Sequence, residues 1–268
     1  MSTQVRRLAV AAQRALLPAP AAANGESAPK AAGVSRGDGP FPGLPGPALK
    51  GAAEASLAGA KLGQQKLTRM AMYEALKDRL AAEDGLSRSC LAISASTRLA
   101  RTLGIKTARV EEAAFPEHTM LALGFDDASF DFCVSDQVLE HVEGDPFAAM
   151  AESLRVVRPG GAVVHATCLL NPIHREPGDF WRFTPDALAL LCRSAGAVAI
   201  ETGSWGNRHA LALTQVGLRG VKIPLDPKHP LHRIATANEV AWPIHTWVIA
   251  RKSLWRPQDA DRVAEKLR

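Results

Sequence analysis

The stretch FDFCVSDQVLEHVEGDPFAAMAESLRVVRPGGAVVHATC, residues 130–168, decides the fold of this chain. Its beginning, residues 130–135, and its end, residues 162–168, are short apolar runs of the kind that form buried strands. Between them, residues 145–161 carry apolar side chains at helical spacing and end in Pro159-Gly160-Gly161, which predicts a helix and its terminator. A helix of this length between two buried strands indicates a right-handed crossover that connects parallel strands.

The same alternation of strands and helices extends in both directions along the chain. Apolar runs predict further strands at residues 89–94, 107–113, 197–204 and 243–252. Helical spacing predicts helices at residues 64–85, 96–104 and 184–196. Strands separated by helices of this length indicate an α/β fold, in which a mostly parallel sheet is covered by helices on both faces.

The composition divides the chain into a folded body and two tails. Residues 1–60 are rich in Ala, Pro and Gly and hold few large apolar side chains, so we expect them to be disordered. Residues 1–17 carry three arginines and no acid, which is typical of an organelle transit peptide; a low-complexity extension with incidental arginines explains them equally well. We expect the folded domain at residues 64–255 and a helical tail at residues 256–268.

The net charge of +5 does not indicate a nucleic-acid partner. Residues 1–63 hold 7 basic and 3 acidic residues, so most of the excess lies in the N-terminal tail and the body is nearly neutral. A body without a basic stripe lacks the footprint that phosphate backbones require. No apolar stretch approaches the ~20 residues of a membrane-spanning helix. We therefore expect a soluble protein without a membrane span, located in the cytoplasm, or in an organelle if residues 1–17 are a transit peptide.

Three short motifs in residues 125–168 carry a resemblance to a known family. They are Ser129-Phe130-Asp131, Val138-Leu139-Glu140-His141-Val142 and Arg158-Pro159-Gly160-Gly161. In order and spacing they resemble the second half of the class I S-adenosylmethionine-dependent methyltransferases, in the group that acts on small molecules. The resemblance implies a three-layer Rossmann-like fold with a seven-stranded, mostly parallel sheet whose last strand is antiparallel. It also implies S-adenosylmethionine as cofactor, lying over the ends of the first, second and fourth strands.

The resemblance assigns cofactor contacts to positions of this sequence. The turn after the first strand corresponds to Ser94, Ala95 and Ser96, the acid that binds the ribose hydroxyls to Glu112 (or Glu111), and the polar residue beside the adenine to Thr119. The wall after the fourth strand corresponds to Asp136, Gln137 and Val138. The chain departs from the family in this region, because the usual acid followed by Gly-x-Gly is replaced by AISAS and the usual Asp by Thr119.

The missing glycines have a physical cost. Glycine enters positive φ freely and lets the backbone approach a ligand, whereas a residue with a Cβ is strained there by ~1–2 kcal/mol. The replacements are small, and hydroxyl side chains can cap the following helix while its free N–H groups receive the carboxylate of the cofactor. The alternative interpretation is an ordinary strand-to-helix turn without a ligand.

The residues that bind the methyl acceptor are predicted mainly on the segment that follows the strand at residues 162–168. If the acceptor is a hydroxyl, His141, His174 or Asp179 is a candidate general base. Trp181 and Arg182 offer a stacking face and a clamp for an anionic group; alternatively, Trp181 fills the core and Arg182 ties the loop to a backbone carbonyl. DFWRFTPDAL, residues 179–188, resembles methyltransferase branches that act on sugars and cell-surface glycans.

The sequence assigns no metal. His229-x-x-His232 has a spacing that metals use, but Pro230 between the two histidines indicates a loop, and no third ligand is apparent. The four cysteines lack CxxC pairing and are expected to be reduced thiols of the core; they are Cys90, Cys133, Cys168 and Cys192.

Two hypotheses about function follow. The first is a methyltransferase that transfers the methyl group of S-adenosylmethionine to a small-molecule or carbohydrate-type acceptor. The second is a catalytically inactive relative that serves as a binding or scaffold protein, suggested by the missing glycines. A nucleotide-dependent oxidoreductase is disfavoured because G-x-G-x-x-G does not follow the first strand.

Overall fold

The computed structural model describes residues 46–106, 109–175 and 177–254. Its strands are β1 (Leu62–Lys66), β2 (Ser89–Ile93), β3 (Arg109–Ala113), β4 (Phe130–Asp136), β5 (Val157–Cys168), β6 (Ala197–Trp205), β7 (Lys222–Pro224) and β8 (His245–Lys252). Its α-helices are α1 (Gly46–Ser56), α2 (Met70–Leu76), α3 (Thr97–Thr102), α4 (Pro146–Val156), α5 (Pro185–Ser194), α6 (Arg208–Leu213) and α7 (Pro230–Thr236). Short 3₁₀ helices lie at Ala81–Glu83 and Leu139–His141, and a π-helical turn at Thr214–Leu218 extends α6.

The main sheet has six strands in the order β3-β2-β4-β5-β8-β6. β3, β2, β4 and β5 are parallel, and β8 runs antiparallel to both of its neighbours, β5 and β6. The α/β Rossmann-like architecture and the antiparallel last strand are confirmed. The expected count of seven strands is corrected to six for the described residues. Between β3 and β4 the chain forms turns around one isolated bridge, Thr119 to Ala122, in a segment where Pro116 has no N–H for a ladder.

Helices cover both faces of this sheet. Leu91 and Ile93 of β2 belong to the apolar cluster on the face covered by α4 and α5. Cys90 and Ala92, which alternate with them, belong to the cluster on the opposite face, with α2, α3 and α6. Burial on both faces explains why the central strands are continuous apolar runs rather than alternating ones.

A small second sheet joins the N-terminal part of the described chain to the segment between α6 and α7. β1 pairs antiparallel with β7, and a separate apolar cluster packs around them, including Ala53 of α1 together with Leu67, Ile223 and Leu231. The predicted helix at residues 64–85 is therefore wrong at its start, because residues 64–66 lie in β1 and α2 begins only at Met70. Pairing with a strand distant in sequence overrides the local helical spacing.

Two further boundaries differ from the sequence-based predictions. Residues 46–56 form α1, although they lie within the segment 1–60 that is predicted to be disordered. α4 ends at Val156, so Pro159-Gly160-Gly161 lies inside β5 rather than terminating the helix. A Cβ at Gly161 would lie 2.4 Å from the carbonyl oxygen of Asp131, so glycine is required by the close approach of β4 and β5.

None of the helices in residues 46–106, 109–175 and 177–254 is long and apolar enough to cross a membrane. The predicted targeting segment at residues 1–17 and the predicted helical tail at residues 256–268 lie outside the described residues.

Candidate functional site

The turn after β2 has the backbone conformation of a glycine turn, although it contains no glycine. Ser94 and Ala95 have φ angles of +47° and +58°. Gln137, directly after the neighbouring strand β4, has a φ of +60°. Such conformations cost of order 1–3 kcal/mol and persist where surrounding contacts enforce them, often at ligand sites. Two adjacent strand ends therefore turn through a strained conformation at the same edge of the sheet.

Hydrogen bonds from three strands hold this turn. The N–H of Ser94 donates to the carbonyl of Ala113 at 2.9 Å, and the N–H of Ala95 donates to Glu112 Oε1 at 2.8 Å. The buried Ser96 hydroxyl donates to the Ile93 carbonyl and accepts from the Asp136 N–H at 2.8 Å. Ser96 is thus an internal tie between β2 and β4, whereas Glu112 connects the turn to the end of β3.

A cavity of about 470 Å³ opens beside this turn. Five residues that the sequence assigns to the site line it: Ser94, Thr119, Gln137, Val138 and His141. The side-chain amide atoms of Gln137 are buried and have no hydrogen-bond partner among the described residues. Because an unpaired buried amide is unfavourable, these atoms indicate a position where a ligand or water donates and accepts hydrogen bonds.

Asp136 does not line this cavity. Its carboxylate accepts hydrogen bonds from Arg69 at 2.5 Å and from the hydroxyl of Tyr73 at 2.5 Å, on the opposite side of the strand end. Burial, and then the charge of Asp136, raise the pKa of Tyr73 well above its usual range. Arg98 lies over the Tyr73 ring at 4.9 Å. Asp136 therefore ties the end of β4 to the start of α2, and both of its carboxylate oxygens already accept hydrogen bonds.

The outer wall of the cavity comes from residues that the sequence analysis did not select. Phe115, Leu121 and Phe180 supply apolar surface and are partly exposed at 55%, 38% and 48%. His118 and Glu143 add polar groups. The available signal was their position after β3, β4 and β5, on loops beyond the carboxyl edge of a parallel sheet, where ligands bind.

The segment after β5 folds back onto the turn at Leu139–His141. The carbonyl of Glu140 accepts from the N–H groups of Phe180 at 2.9 Å and Trp181 at 3.1 Å. The indole N–H of Trp181 donates to the carbonyl of Val142 at 2.9 Å. Trp181 does not line the cavity, and its ring is 37% exposed. The backbone of this segment thus places Phe180 in the cavity wall.

Asp179 and Arg182 hold the same segment together. Arg182 donates to both carboxylate oxygens of Asp179 and to the carbonyls of Trp181 and Asn171. The Arg182 guanidinium, assisted by the His174 N–H, keeps the pKa of Asp179 well below its usual range despite burial. A carboxylate with so low a pKa is a poor general base at neutral pH. Of the two roles considered for Arg182, a clamp for an anionic group and a tie to backbone carbonyls, the contacts correspond to the second.

His141 is the predicted base that reaches the cavity. Its Nδ1 lies against the carbonyl of Gly178, and a carbonyl only accepts, so Nδ1 carries the proton and Nε2 keeps a lone pair. The His174 ring packs edge-on against His141 with centroids 4.9 Å apart. His174 itself does not line the cavity. Contact with the Glu140 carboxylate raises the pKa of His174.

Both histidines of His229-x-x-His232 form hydrogen bonds with the backbone of the fold. His229 Nδ1 accepts the N–H of Leu231 and so caps α7, and its Nε2 lies 2.8 Å from the carbonyl of Ser56. His232 Nδ1 lies 2.8 Å from the carbonyl of Pro224. The four cysteines are free and buried, as expected.

Residues 74–165 match the model of a family described as methyltransferase domain. The match includes the turn after β2, the acid at Glu112 and the residues after β4 that line the cavity. This central part of the chain is therefore similar in sequence to a methyltransferase domain.

Solved structures resemble the chain at low identity. A methyltransferase from Thermotoga maritima, described as a possible histamine N-methyltransferase, is 14% identical over 76% of this chain and 96% of its own, with a TM-score of 0.39. Phosphoethanolamine N-methyltransferase 2 from Haemonchus contortus, in complex with S-adenosyl-L-methionine, is 14% identical over 68% of this chain and 52% of its own (TM-score 0.44). A methyltransferase from Archaeoglobus fulgidus is 13% identical over 69% and 97% (TM-score 0.43). No curated protein matches the sequence.

Proposed function

We propose that the cavity binds S-adenosylmethionine together with a small acceptor molecule, and that the chain transfers the methyl group to a nucleophilic atom of that acceptor. The observation that carries this proposal is the left-handed conformation of Ser94 and Ala95 at the mouth of the cavity. This conformation costs an L residue ~1–2 kcal/mol, and hydrogen bonds to the ends of β3 and β4 hold the turn in it beside the cavity.

The residues present fit the cofactor. The cavity of about 470 Å³ lies within the usual size of ligand sites. Gln137, whose buried amide is unpaired, and Thr119 line it with polar side chains. Glu112 Oε1 accepts from Ala95, so its second carboxylate oxygen stays available for a ribose hydroxyl. When bound, S-adenosylmethionine supplies a methyl group on a sulfonium that is already activated for transfer.

Orientation and exclusion of water are then the main tasks of the protein. Val138 and Ile93 form the apolar floor of the cavity, and Phe115, Leu121 and Phe180 form its rim. Apolar walls keep water from the transfer site and favour an acceptor with an apolar part. A carbohydrate-type acceptor is the second candidate class, because the 37% exposed side chain of Trp181, next in sequence to the rim residue Phe180, offers a stacking face.

His141 is the general base of this proposal. Nδ1 is fixed by the Gly178 carbonyl, which sets both the tautomer and the orientation of the ring. The free Nε2 accepts the proton that a hydroxyl or neutral amine acceptor loses as its lone pair attacks the methyl group, and the sulfonium sulfur leaves as a thioether. A base positioned in this way contributes ~10²–10⁴ to the rate.

Calorimetry with S-adenosylmethionine and with its demethylated product S-adenosylhomocysteine tests the proposal. We expect saturable binding of one ligand per chain. Val138→Phe, which fills the cavity, should weaken binding at least tenfold, whereas Val240→Phe, at an exposed position far in sequence from the cavity, should leave it unchanged. No heat with wild-type protein at about 1 mM ligand, where even weak sites bind, favours the binding or scaffold hypothesis. Labelled methyl transfer into cell extract then identifies the acceptor.

A further inference from the structure

A second cluster of reactive side chains lies behind the cavity wall. Glu140, Cys168 and His174 each offer one ligand atom, and these atoms lie within 4.8 Å of one another. They come from three parts of the fold: the turn after β4, the end of β5 and the segment that follows it. None of the three lines the cavity.

The Glu140 side chain is the unusual member of this cluster. It is fully buried, and its Oε2 accepts a hydrogen bond of 2.8 Å from the Thr167 hydroxyl. Its Oε1 has no hydrogen-bond partner among the described residues, since the nearest His174 nitrogen, Nε2, is 3.8 Å away. A buried carboxylate oxygen without a partner is costly, so this atom is directed at a position that something must occupy.

The His174 ring is oriented toward the same position. Its Nδ1 lies 3.1 Å from the carbonyl of Pro172 and 3.4 Å from Asp179 Oδ2. Nδ1 also lies 3.2 Å from the side-chain nitrogen of Asn171. When the Nδ1 proton is donated to the Pro172 carbonyl, Nε2 presents its lone pair to the side of Glu140, which is the form that binds a metal ion. A histidine whose other nitrogen is held by a carbonyl or carboxylate is the usual arrangement around a protein metal ion.

We propose that Glu140, Cys168 and His174 bind a zinc ion. Thiolate, imidazole and carboxylate together are a ligand set that zinc accepts, and three protein ligands leave the fourth tetrahedral position to water. Ligands around tetrahedral zinc are ~3.5 Å apart, so the groups need to approach by little more than 1 Å. Binding displaces the proton of the Cys168 thiol to solvent and pairs the free oxygen of Glu140 with the cation.

The ion ties the segment after β5 to the sheet. Glu140 precedes His141, and the His174 ring packs against His141, so the ion fixes the backbone that positions this base and Phe180. Sequence analysis does not predict this site, because its ligands are 28 and 6 residues apart, outside the short spacings of zinc motifs.

Metal titration of the full chain, stripped with a chelator, tests the site without any need for methyl transfer. We expect one zinc ion per chain in competition with a chromophoric chelator. Cobalt in place of zinc should give the absorption band of a cobalt–thiolate bond. Cys168→Ser should abolish this band, whereas Cys192→Ser, at an equally buried cysteine beside Met150, should keep it.

Two further variants keep the test decisive if Cys168→Ser does not fold, as judged by circular dichroism. Glu140→Gln and His174→Asn preserve side-chain shape and should each weaken zinc binding at least tenfold, while the exposed His209→Asn should not. The proposal is overturned if wild-type protein gives no cobalt–thiolate band, if the band persists in Cys168→Ser, or if zinc binding is unchanged in Glu140→Gln and His174→Asn.

Discussion

The backbone N–H of Ala95 donates a 2.8 Å hydrogen bond to Glu112 Oε1, which joins the turn after β2 to the acid at the end of β3. A single carboxylate at the end of β3 thereby supports the strained turn. The neighbouring Glu111 instead pairs with Arg109 on its own strand at 2.5 Å. The two adjacent acids thus have different structural roles.

Glu112→Ala should weaken the affinity for S-adenosylhomocysteine more than tenfold. The substitution removes both a charge-assisted hydrogen bond, worth ~1.5–3 kcal/mol, and the ribose contact, and a factor of ten corresponds to ~1.4 kcal/mol. Calorimetry on the variant measures the effect. Glu111→Ala is the matched control and should stay within twofold of wild type; equal effects of both substitutions would contradict this assignment.

Ala95→Gly should stabilise the protein by ~0.5–1 kcal/mol. Glycine relieves the ~1–2 kcal/mol strain of a left-handed residue, and part of the gain is lost to the greater freedom of the unfolded chain. Urea unfolding measures the change. Ala148→Gly, at an exposed position in α4, should have the opposite sign and cost ~1 kcal/mol. A destabilised Ala95→Gly variant would mean that the turn is not strained.

Tyr73 should stay protonated well above pH 10, the ordinary pKa of tyrosine. It is the only tyrosine in the chain, so the tyrosinate absorbance reports this residue alone. Since burial and Asp136 raise the pKa in the folded state, the stability due to this group is complete below pH 10 and is lost as the pH rises toward the folded-state value. Titration in urea should return the ordinary pKa of Tyr73. The substitution Asp136→Asn should lower the pKa of Tyr73 in the folded protein. If Tyr73 of the folded protein titrated near pH 10, this would be inconsistent with its hydrogen bond to Asp136.

His141→Gln should reduce labelled methyl transfer into cell extract by ~10²–10⁴ if His141 is the base. Binding of S-adenosylhomocysteine should change little, because the ring acts on the acceptor rather than on the donor. His209→Gln, at an exposed position outside the cavity, serves as control. Full activity of His141→Gln would remove the histidine from the mechanism.

Gly161→Ala should destabilise the protein by ~1–3 kcal/mol or more, the usual cost of overpacking. The added methyl group would lie 2.4 Å from the Asp131 carbonyl and 2.6 Å from Val157, so β4 and β5 would have to separate. Thermal unfolding measures the loss. Gly220→Ala, where nothing lies within 4 Å, should be nearly neutral. If the two variants unfold at the same temperature, the close approach of β4 and β5 at Gly161 is not required for stability.

Local pattern was sufficient to predict the main sheet. Apolar runs such as Leu91–Ile93 identified its six strands, and the ends of β2 and β4 identified the edge where Ser94, Gln137 and His141 meet. The partners of Asp136 could not be predicted, because Arg69 and Tyr73 precede it by 67 and 63 residues. For Arg182, the sequence allowed both a substrate and a backbone partner, and only the folded segment shows that its donors are used by Asp179 and by carbonyls.

The pairing of β1 with β7 determines where the chain can be shortened for expression. A truncation beginning at residue 64, the start that composition and periodicity favour, cuts β1 in half and removes α1 with Ala53. Ile223 and Leu231 would then be exposed to solvent, and the unpaired edge of β7 would invite aggregation. A truncation beginning at Gly46 keeps this small sheet intact.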